Sequence, residues 1–369
     1  MKHKFAELVA AAANQTPCAL EGDAVLIYGA GNKGWEVLRF LEARGYAVSG
    51  FLDTHAKPGQ HLEGIPVRTL EDWLRDNASP ASHSVVIAVH NYLADIVPLQ
   101  QSLKDKGFRQ ALNIVEFYNV FPGALPDHYW LTGKNSYAAF GAALDRLDSL
   151  LADALSRQWL EAVARFRLSG DHALLLPPAL NDQYCPRDLP EWTRPLRLID
   201  CGAFDGDTLE CLKRSGYDFE CVAAFEPDME NFRKLAQAAG GYGNVVCLPC
   251  AVGAKTGPVY FSAEANMSSR VSASGGGGFA QCVALDEALP GFRPNLIKMD
   301  IEGAELDALR GARRMIEKHR PGLAVSLYHT PGHLWQIPLM LHDWNPDYRF
   351  YLRGHAQNTF DLVLYAFPR

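Results

Sequence analysis

The residues that point most clearly to chemistry lie in the segment 198–208. A short apolar run ends at Asp200, a glycine-rich turn follows, and the pattern then changes to that of a helix. Gly202 would let a ligand approach the backbone closely, whereas Asp205 and Asp207 would repel a pyrophosphate and favour a cationic ligand. No lysine follows the glycines, so the turn is not a phosphate-binding P-loop. The alternative is an ordinary connection between a strand and a helix.

A second candidate is Glu226, which ends the next predicted strand, 26 residues beyond Asp200. In open α/β sheets, ligands lie beyond the carboxyl ends of the strands, and a carboxylate there can accept hydrogen bonds from both hydroxyls of a ribose. The alternative is an exposed acid beside a helix start, where Asp228 would serve as the N-cap. Together the two patterns indicate S-adenosylmethionine, which carries a sulfonium, an ammonium and a ribose.

A third group consists of Lys298, Asp300 and Glu302 at the end of another apolar strand. Because side chains alternate along a strand, these three charges lie on one face. Charges on a central strand are costly if they are buried without partners, so we expect them to meet each other, a ligand or a metal ion. A buried structural ion pair is the alternative.

These segments together resemble the FkbM family of S-adenosylmethionine-dependent methyltransferases. The resemblance covers about residues 184–369, and its most specific part is Lys298-x-Asp300-x-Glu302-Gly-Ala-Glu305. It implies a class I methyltransferase fold, a doubly wound α/β sheet that is parallel with an antiparallel edge strand, and methyl transfer to a hydroxyl of a sugar or natural-product precursor. In such a domain the cofactor's amino-acid end would contact Asp200, Gly202, Ala203 and Asp205, its ribose would contact Glu226, and Cys250, Ala251 and Val252 would flank its adenine.

Methyl transfer to a hydroxyl also needs a group that aligns the nucleophile and accepts its proton. Histidine is the commonest side chain for this step, and His329, at the end of a predicted strand, is the first candidate. His355 and His333 follow, Asp300 is the carboxylate candidate, and a structural role is the alternative for each histidine. Asp300 and Glu302 would also suit Mg²⁺, which prefers hard oxygen ligands, but a metal is not expected and no metal site is predicted.

The N-terminal part carries a different pattern, Gly29-x-Gly31-x-x-Gly34, between a predicted strand and a predicted helix, with Asp53 at the end of the next strand. This is the dinucleotide-binding fingerprint in its expected context. The unit stops after about four strands, without the second half-domain of a nicotinamide enzyme. It resembles the small Rossmann-like domain that binds nucleotide-sugars in some bacterial sugar acetyltransferases, which makes a nucleotide-sugar a candidate ligand. A fold that binds nothing is the alternative.

Alternating strand and helix patterns place these residues in two α/β units. We predict a smaller Rossmann-like domain over 22–122, a helical and proline-rich connector over 123–195, and the methyltransferase domain over 196–369. Residues 137–168 lack proline and repeat leucine at helical spacing, which predicts one long helix or a helical pair. The last two strand patterns have no helix between them, which predicts an antiparallel pair at one edge of the sheet.

Composition narrows the class of protein. The 369 residues allow two hydrophobic cores, with 48% hydrophobic and 21% charged residues. The net charge of -7 argues against nucleic acid as a partner. No apolar run is long enough to cross a membrane, and without an export signal we expect a cytoplasmic protein. The expected partner is a small-molecule or carbohydrate acceptor, and a homo-oligomer is compatible with the sequence.

Two further functions stay open. One is an NAD(P)-linked oxidoreductase acting through the N-terminal domain, against which the missing second half-domain argues. The other is a non-catalytic scaffold that binds a nucleotide-sugar, against which the intact set of Asp200, Gly202, Glu226 and Asp300 argues.

Overall fold

The chain forms two compact units. The computed structural model describes residues 3–14, 19–22, 24–76, 79–137, 140–261, 271–272 and 279–369. Unit 1 comprises Met1–Arg146, Gln158–Pro177 and Ala356–Phe360, and unit 2 comprises Leu147–Arg157, Pro178–His355 and Asp361–Arg369. The segment 123–195, predicted as a connector, is divided between them.

Unit 1 is built around a six-stranded sheet. Its strands are β1 (Ala24–Tyr28), β2 (Val48–Leu52), β3 (His61–Leu62), β4 (Ile65–Arg68), β5 (His83–Ile87) and β6 (Gln110–Asn113). Its helices are α1 (Lys4–Ala13), α2 (Asn32–Ala43), α3 (Leu70–Asp76), α4 (Ile96–Asp105) and α5 (Ile114–Val120). The strand order is β3-β4-β2-β1-β5-β6, and all pairs are parallel except β3 with β4.

The four main strands and the helix after the glycine pattern are confirmed in unit 1. The fourth strand was expected over 111–115, but it ends at Asn113 because this residue caps α5. The Asn113 side chain accepts hydrogen bonds from the backbone N–H groups of Val115 and Glu116, and the Glu116 side chain accepts from the backbone N–H of Asn113. This capping box turns the last apolar residues of the pattern into the first turn of a helix.

The proline-free segment is a helical pair, one of the two forms predicted for it. Helix α6 spans Gly141–Leu150 and helix α7 spans Ala154–Ser169. Asp153 separates them, and its carboxylate accepts a hydrogen bond from the backbone N–H of Ser156 at 2.7 Å. An aspartate in this position caps the start of the second helix.

Unit 2 contains a seven-stranded sheet and a smaller four-stranded sheet. The strands are β7 (Leu196–Cys201), β8 (Phe219–Phe225), β9 (Val245–Leu248), β10 (Cys250–Val252), β11 (Gly257–Phe261), β12 (Val271–Ser272), β13 (Phe279–Val283), β14 (Leu296–Met299), β15 (Gly322–Ser326), β16 (Arg349–Gly354) and β17 (Leu362–Phe367). The helices are α8 (Asp207–Arg214), α9 (Met229–Ala239), α10 (Leu285–Ala288), α11 (Glu305–Gly311), α12 (Arg313–His319) and α13 (His333–Trp344).

The large sheet has the order β16-β17-β15-β14-β7-β8-β9. All strands run parallel except β17, which pairs antiparallel with both β15 and β16. The predicted α/β class with a mainly parallel sheet is confirmed, and the antiparallel strand lies one position inside the edge. Because β7, β8, β14 and β15 are parallel, their carboxyl ends meet at one edge of the sheet, where ligands bind in such folds.

Three elements of unit 2 differ from the sequence patterns. The apolar pattern over residues 245–252 predicts one strand, but it breaks at Pro249 into β9 and β10, which belong to different sheets. Proline cannot donate a ladder hydrogen bond. The helix expected over 304–319 is divided into α11 and α12 at Ala312. Helix α13 does not appear among the sequence predictions, and Pro338 lies inside it.

None of the described helices combines the length and the apolar character needed to cross a membrane.

Candidate active site

The turn after β7 is packed against the end of β14. Gly202 has a φ of 77°, and a Cβ added there would lie 1.9 Å from the backbone oxygen of Asp300. The backbone N–H groups of Gly202 and Ala203 donate to the Phe225 oxygen at 3.0 and 2.9 Å. Only glycine fits this left-handed, crowded position, so the turn is fixed between the carboxyl ends of two neighbouring strands.

Glu226 follows β8 and is held in one orientation by backbone donors. Its two carboxylate oxygens accept hydrogen bonds from the N–H groups of Phe204 and Asp228, each at 2.9 Å. The side chain is 7% exposed, and burial raises its pKa although these donors oppose the rise. Each oxygen keeps a further lone pair, so the carboxylate can accept hydroxyl donors from a ligand. Asp228 caps α9, as predicted.

Asp200 and Lys298 form a buried ion pair beneath the glycine turn. Lys298 Nζ lies 3.1 Å from Asp200 Oδ1 and donates to the Gly202 oxygen at 2.5 Å. Burial alone would lower the pKa of Lys298, but the Asp200 carboxylate holds it above its ordinary value. Asp200 has no exposed surface. Asp200 and Lys298 thus support the turn, and the direct cofactor contact of the Asp200 side chain stays a prediction.

Asp300 receives donors from two tyrosines of other segments. The Tyr184 hydroxyl donates to Oδ2 at 2.8 Å, and the Tyr328 hydroxyl donates to Oδ1 at 3.4 Å. Nε2 of His329 also lies 3.4 Å from Oδ1. The Asp300 side chain is 21% exposed, so it remains accessible while its orientation is fixed by these contacts.

His329 is fully buried, and its ring contacts the Glu305 carboxylate at the start of α11. Its Nδ1 lies 2.7 Å from Glu305 Oε1, and the same oxygen accepts from the backbone N–H of Ile301 at 2.9 Å. The second Glu305 oxygen lies 3.1 Å from Nδ1 of His333. On the opposite side of the ring, Nε2 of His329 lies 3.7 Å from Oε2 of Glu302.

These carboxylates determine the charge of His329. Burial alone would lower the pKa of His329, but the Glu305 carboxylate, with Asp300 and Glu302, raises it to about 9. Burial alone would raise the pKa of Glu305, but His329 and His333 hold it well below its ordinary value. The structure thus favours a charged pair of His329 and Glu305 at neutral pH.

His355, the other predicted proton acceptor, is surrounded by partners within the fold. Its Nδ1 lies 2.9 Å from the Ala179 backbone oxygen, and its Nε2 lies 2.8 Å from the Tyr365 hydroxyl. Burial lowers its pKa. Because both ring nitrogens already have partners and the side chain is 3% exposed, His355 is not free to accept a proton from a ligand.

The remaining predicted cofactor residues lie in the turn after β7 or in β10. Ala203 is fully buried and Asp205 is partly exposed in the turn, whereas Ala251 and Val252 are buried in β10. Cys250 lines an apolar cavity of about 600 Å³ that extends along β8 and β9.

Two residues of this edge, Tyr328 after β15 and Asp361 before β17, were not singled out from the sequence. Tyr184 belongs to the proline-rich segment, which the sequence predicts to be a loop that could lie across a site. Burial and the Asp300 charge raise the pKa of Asp361 to about 6, although the Tyr328 hydroxyl, a hydrogen-bond donor to it, acts in the opposite sense. Asp361 has a φ of 48°, and no sequence pattern marks an aspartate in that conformation.

Among the described residues, one group could offer three ligand atoms to a metal ion, namely Asp300, Glu305 and His329, whose candidate atoms lie within 4.8 Å of one another. However, Nδ1 of His329 faces Glu305 and Nε2 faces Asp300. Each ring nitrogen of His329 therefore already faces one of these carboxylates, and the three side chains form a carboxylate–imidazole–carboxylate triad.

The glycine pattern of unit 1 forms a tight turn. Gly29 has a φ of 102°, and a Cβ at Gly34 would lie 2.0 Å from the Gly29 oxygen. The Asp53 carboxylate accepts from the N–H groups of Ala30 at 3.0 Å and His55 at 2.9 Å. Asp53 thus stabilises the turn itself, and ligand binding by unit 1 stays a prediction.

Comparison with known proteins agrees with this geometry. The chain aligns with the crystal structure of methyltransferase FkbM from Methylobacillus flagellatus KT at a TM-score of 0.83 and 22% identity, covering 99% of this chain and 98% of that one. Two further solved structures, GsuK bound to ADP and a protein from Burkholderia thailandensis, cover 66% and 74% of this chain and 71% of each of those chains. Their identities are 15% and 12% and their TM-scores 0.17, too low to indicate a shared fold. No curated protein matches. The family model of the methyltransferase FkbM domain matches residues 200–356 of this chain.

Proposed function

We propose that this protein is an S-adenosylmethionine-dependent methyltransferase that transfers the methyl group to a hydroxyl of a sugar or natural-product precursor. One observation carries the proposal: the Gly202 turn, Glu226 and Asp300 follow three adjacent parallel strands, β7, β8 and β14. The domain match covers these same residues. Ligands of open α/β sheets bind at this edge.

The proposed cofactor site uses the groups that are oriented and accessible. Glu226 would accept the ribose hydroxyls, because its two backbone donors leave a lone pair on each oxygen. The Gly202 backbone and the Asp205 carboxylate would face the amino-acid end of the cofactor. The cavity lined by Cys250, Phe225 and Leu248 would take the adenine. When bound, S-adenosylmethionine supplies an electrophilic methyl group on a sulfonium.

The proposed acceptor site lies beside Tyr184. A second cavity of about 610 Å³ is lined by the proline-rich segment around Tyr184 and by Asp207 and Thr208 of α8. The Tyr184 hydroxyl also donates to Asp300. Fixed carboxylates and hydroxyls suit a hydroxyl-bearing acceptor, since they can align its oxygen and receive its proton. Asp300 is the group we propose for this step, and His329 lies beside it.

Calorimetric titration with S-adenosylhomocysteine tests the cofactor assignment. We expect the wild-type protein to bind, and Glu226→Gln to weaken binding by about tenfold or more, because an amide replaces two acceptor oxygens by one. Glu210→Gln, an exposed change on α8, is the control and should bind as the wild type does. Absence of binding to the wild type would overturn the proposed function. Equal affinity of the wild type and Glu226→Gln would overturn the ribose contact alone.

A further inference from the structure

The proton positions on His329 follow from its neighbours. Nδ1 lies 2.7 Å from Oε1 of Glu305, and a carboxylate that also accepts from the Ile301 N–H can only act as an acceptor there. Nδ1 of His329 therefore carries a proton. This fixes the ring in one orientation, with Nε2 directed to the opposite side.

The opposite side of the ring is also negatively charged. Nε2 lies 3.4 Å from Oδ1 of Asp300 and 3.7 Å from Oε2 of Glu302, and the Asp361 carboxyl interacts electrostatically with the same ring. A neutral ring with Nδ1 protonated would present a lone pair to these carboxylates, which is repulsive. A doubly protonated ring would present an N–H to them, which is attractive.

His333 is a further titratable group beside the pair formed by His329 and Glu305. Its Nδ1 lies 3.1 Å from Oε2 of Glu305, so both oxygens of this fully buried carboxylate face a histidine. Asp300 and Glu302 on one side of His329 and Glu305 on the other outweigh the cost of burying its charge, in agreement with a pKa raised to about 9.

The side chains of His329 and Asp300 differ in their exposure to solvent. The His329 side chain has no exposed surface, whereas that of Asp300 is 21% exposed. An acceptor molecule can therefore reach Asp300 but not His329 without a rearrangement of the site.

We propose that Glu305 is a positioning residue that keeps His329 as an imidazolium, so that its positive charge lies beside Asp300 and the Asp300 carboxylate accepts the proton of the acceptor hydroxyl. This inference rests on the proposed function. In the transfer, the acceptor oxygen bonds to the methyl carbon, the bond from that carbon to sulfur breaks with its electron pair left on sulfur, and the hydroxyl proton passes to Asp300. A carboxylate is basic enough, since the hydroxyl becomes strongly acidic as the new bond forms.

The test is an NMR titration of protein labelled with ¹⁵N-histidine, with and without S-adenosylhomocysteine, in which His329→Gln identifies the His329 signals. We expect both ring nitrogens of wild-type His329 to be protonated at neutral pH. In Glu305→Gln, which keeps the shape of the side chain but removes its charge, we expect the pKa of His329 to fall by at least about one pH unit. Affinity for S-adenosylhomocysteine should stay within about twofold of the wild-type value, because Glu305 is not proposed to touch the cofactor.

Glu317→Gln, an exposed change on α12, is the matched control and should leave the His329 titration unchanged. A wild-type His329 with one unprotonated nitrogen at neutral pH overturns the inference, and this measurement is made on the wild-type protein, with His329→Gln used only to assign the signals. An unchanged titration in Glu305→Gln overturns the role of Glu305. Failure of the wild type to bind S-adenosylhomocysteine overturns the proposed function, whereas a neutral His329 in a protein that binds it overturns only the present inference.

Discussion

Gly202 lies directly against the backbone oxygen of Asp300, so that a Cβ at position 202 would be 1.9 Å from it. This contact joins the turn after β7 to the end of β14. The backbone that would receive the cofactor and the carboxylate that would receive a proton therefore have a fixed separation. Neither can shift without the other.

Gly202→Ala tests that contact. We expect it to lower the free energy of unfolding by about 2–4 kcal/mol, because the methyl group meets backbone and the φ of 77° is strained for alanine. Gly243→Ala is the control, since a Cβ at 243 meets nothing within 4 Å. Urea unfolding measures both. Equal stability of the two variants would contradict the close approach.

Lys298→Met tests the buried pair with Asp200. Removing the lysine leaves a carboxylate with no exposed surface, and we expect a loss of about 3–5 kcal/mol in the free energy of unfolding. The double variant Asp200→Asn with Lys298→Met should lose less than Lys298→Met alone, because no buried charge remains. Additive losses in this double-mutant cycle would show that the pair is not coupled.

The pair of His329 and Glu305 predicts a pH dependence of stability. Since the pKa of His329 is raised from its ordinary 6.5 to about 9 in the folded protein, the stabilisation is fully present below pH 6.5 and is lost as the pH rises through 9. We expect the wild type to exceed His329→Gln in stability by up to about 3 kcal/mol at the lower pH. The difference should shrink above pH 9. A difference that stays constant across this range would exclude the raised pKa.

His355→Gln separates a structural role from a catalytic one. The change disturbs the contacts with the Ala179 oxygen and the Tyr365 hydroxyl, so we expect a loss of about 1–3 kcal/mol in stability. Affinity for S-adenosylhomocysteine should not change. Thermal unfolding and calorimetry measure the two quantities, and weakened binding in a variant of normal stability would return His355 to the site.

The sequence determined those parts of the site that depend on near neighbours in the chain. An apolar run followed by glycine predicted the turn at Gly202, and Asp228 was recognised as a helix cap because capping uses residues two and three positions away. The position of Glu226 at the end of a strand followed from the alternation of strands and helices. The order of those elements was enough to predict a mainly parallel sheet with one reversed strand.

Only the tertiary structure decided which charges meet. Asp200 and Lys298 form a buried ion pair because β7 and β14 are neighbours in the sheet. Glu305 and His329 come together because α11 begins beside the end of β15, and both ring nitrogens of His355 contact partners from two other segments. Sequence patterns report the local backbone, whereas the state of a buried ionisable group depends on contacts between distant segments, which exist only once the sheet has formed.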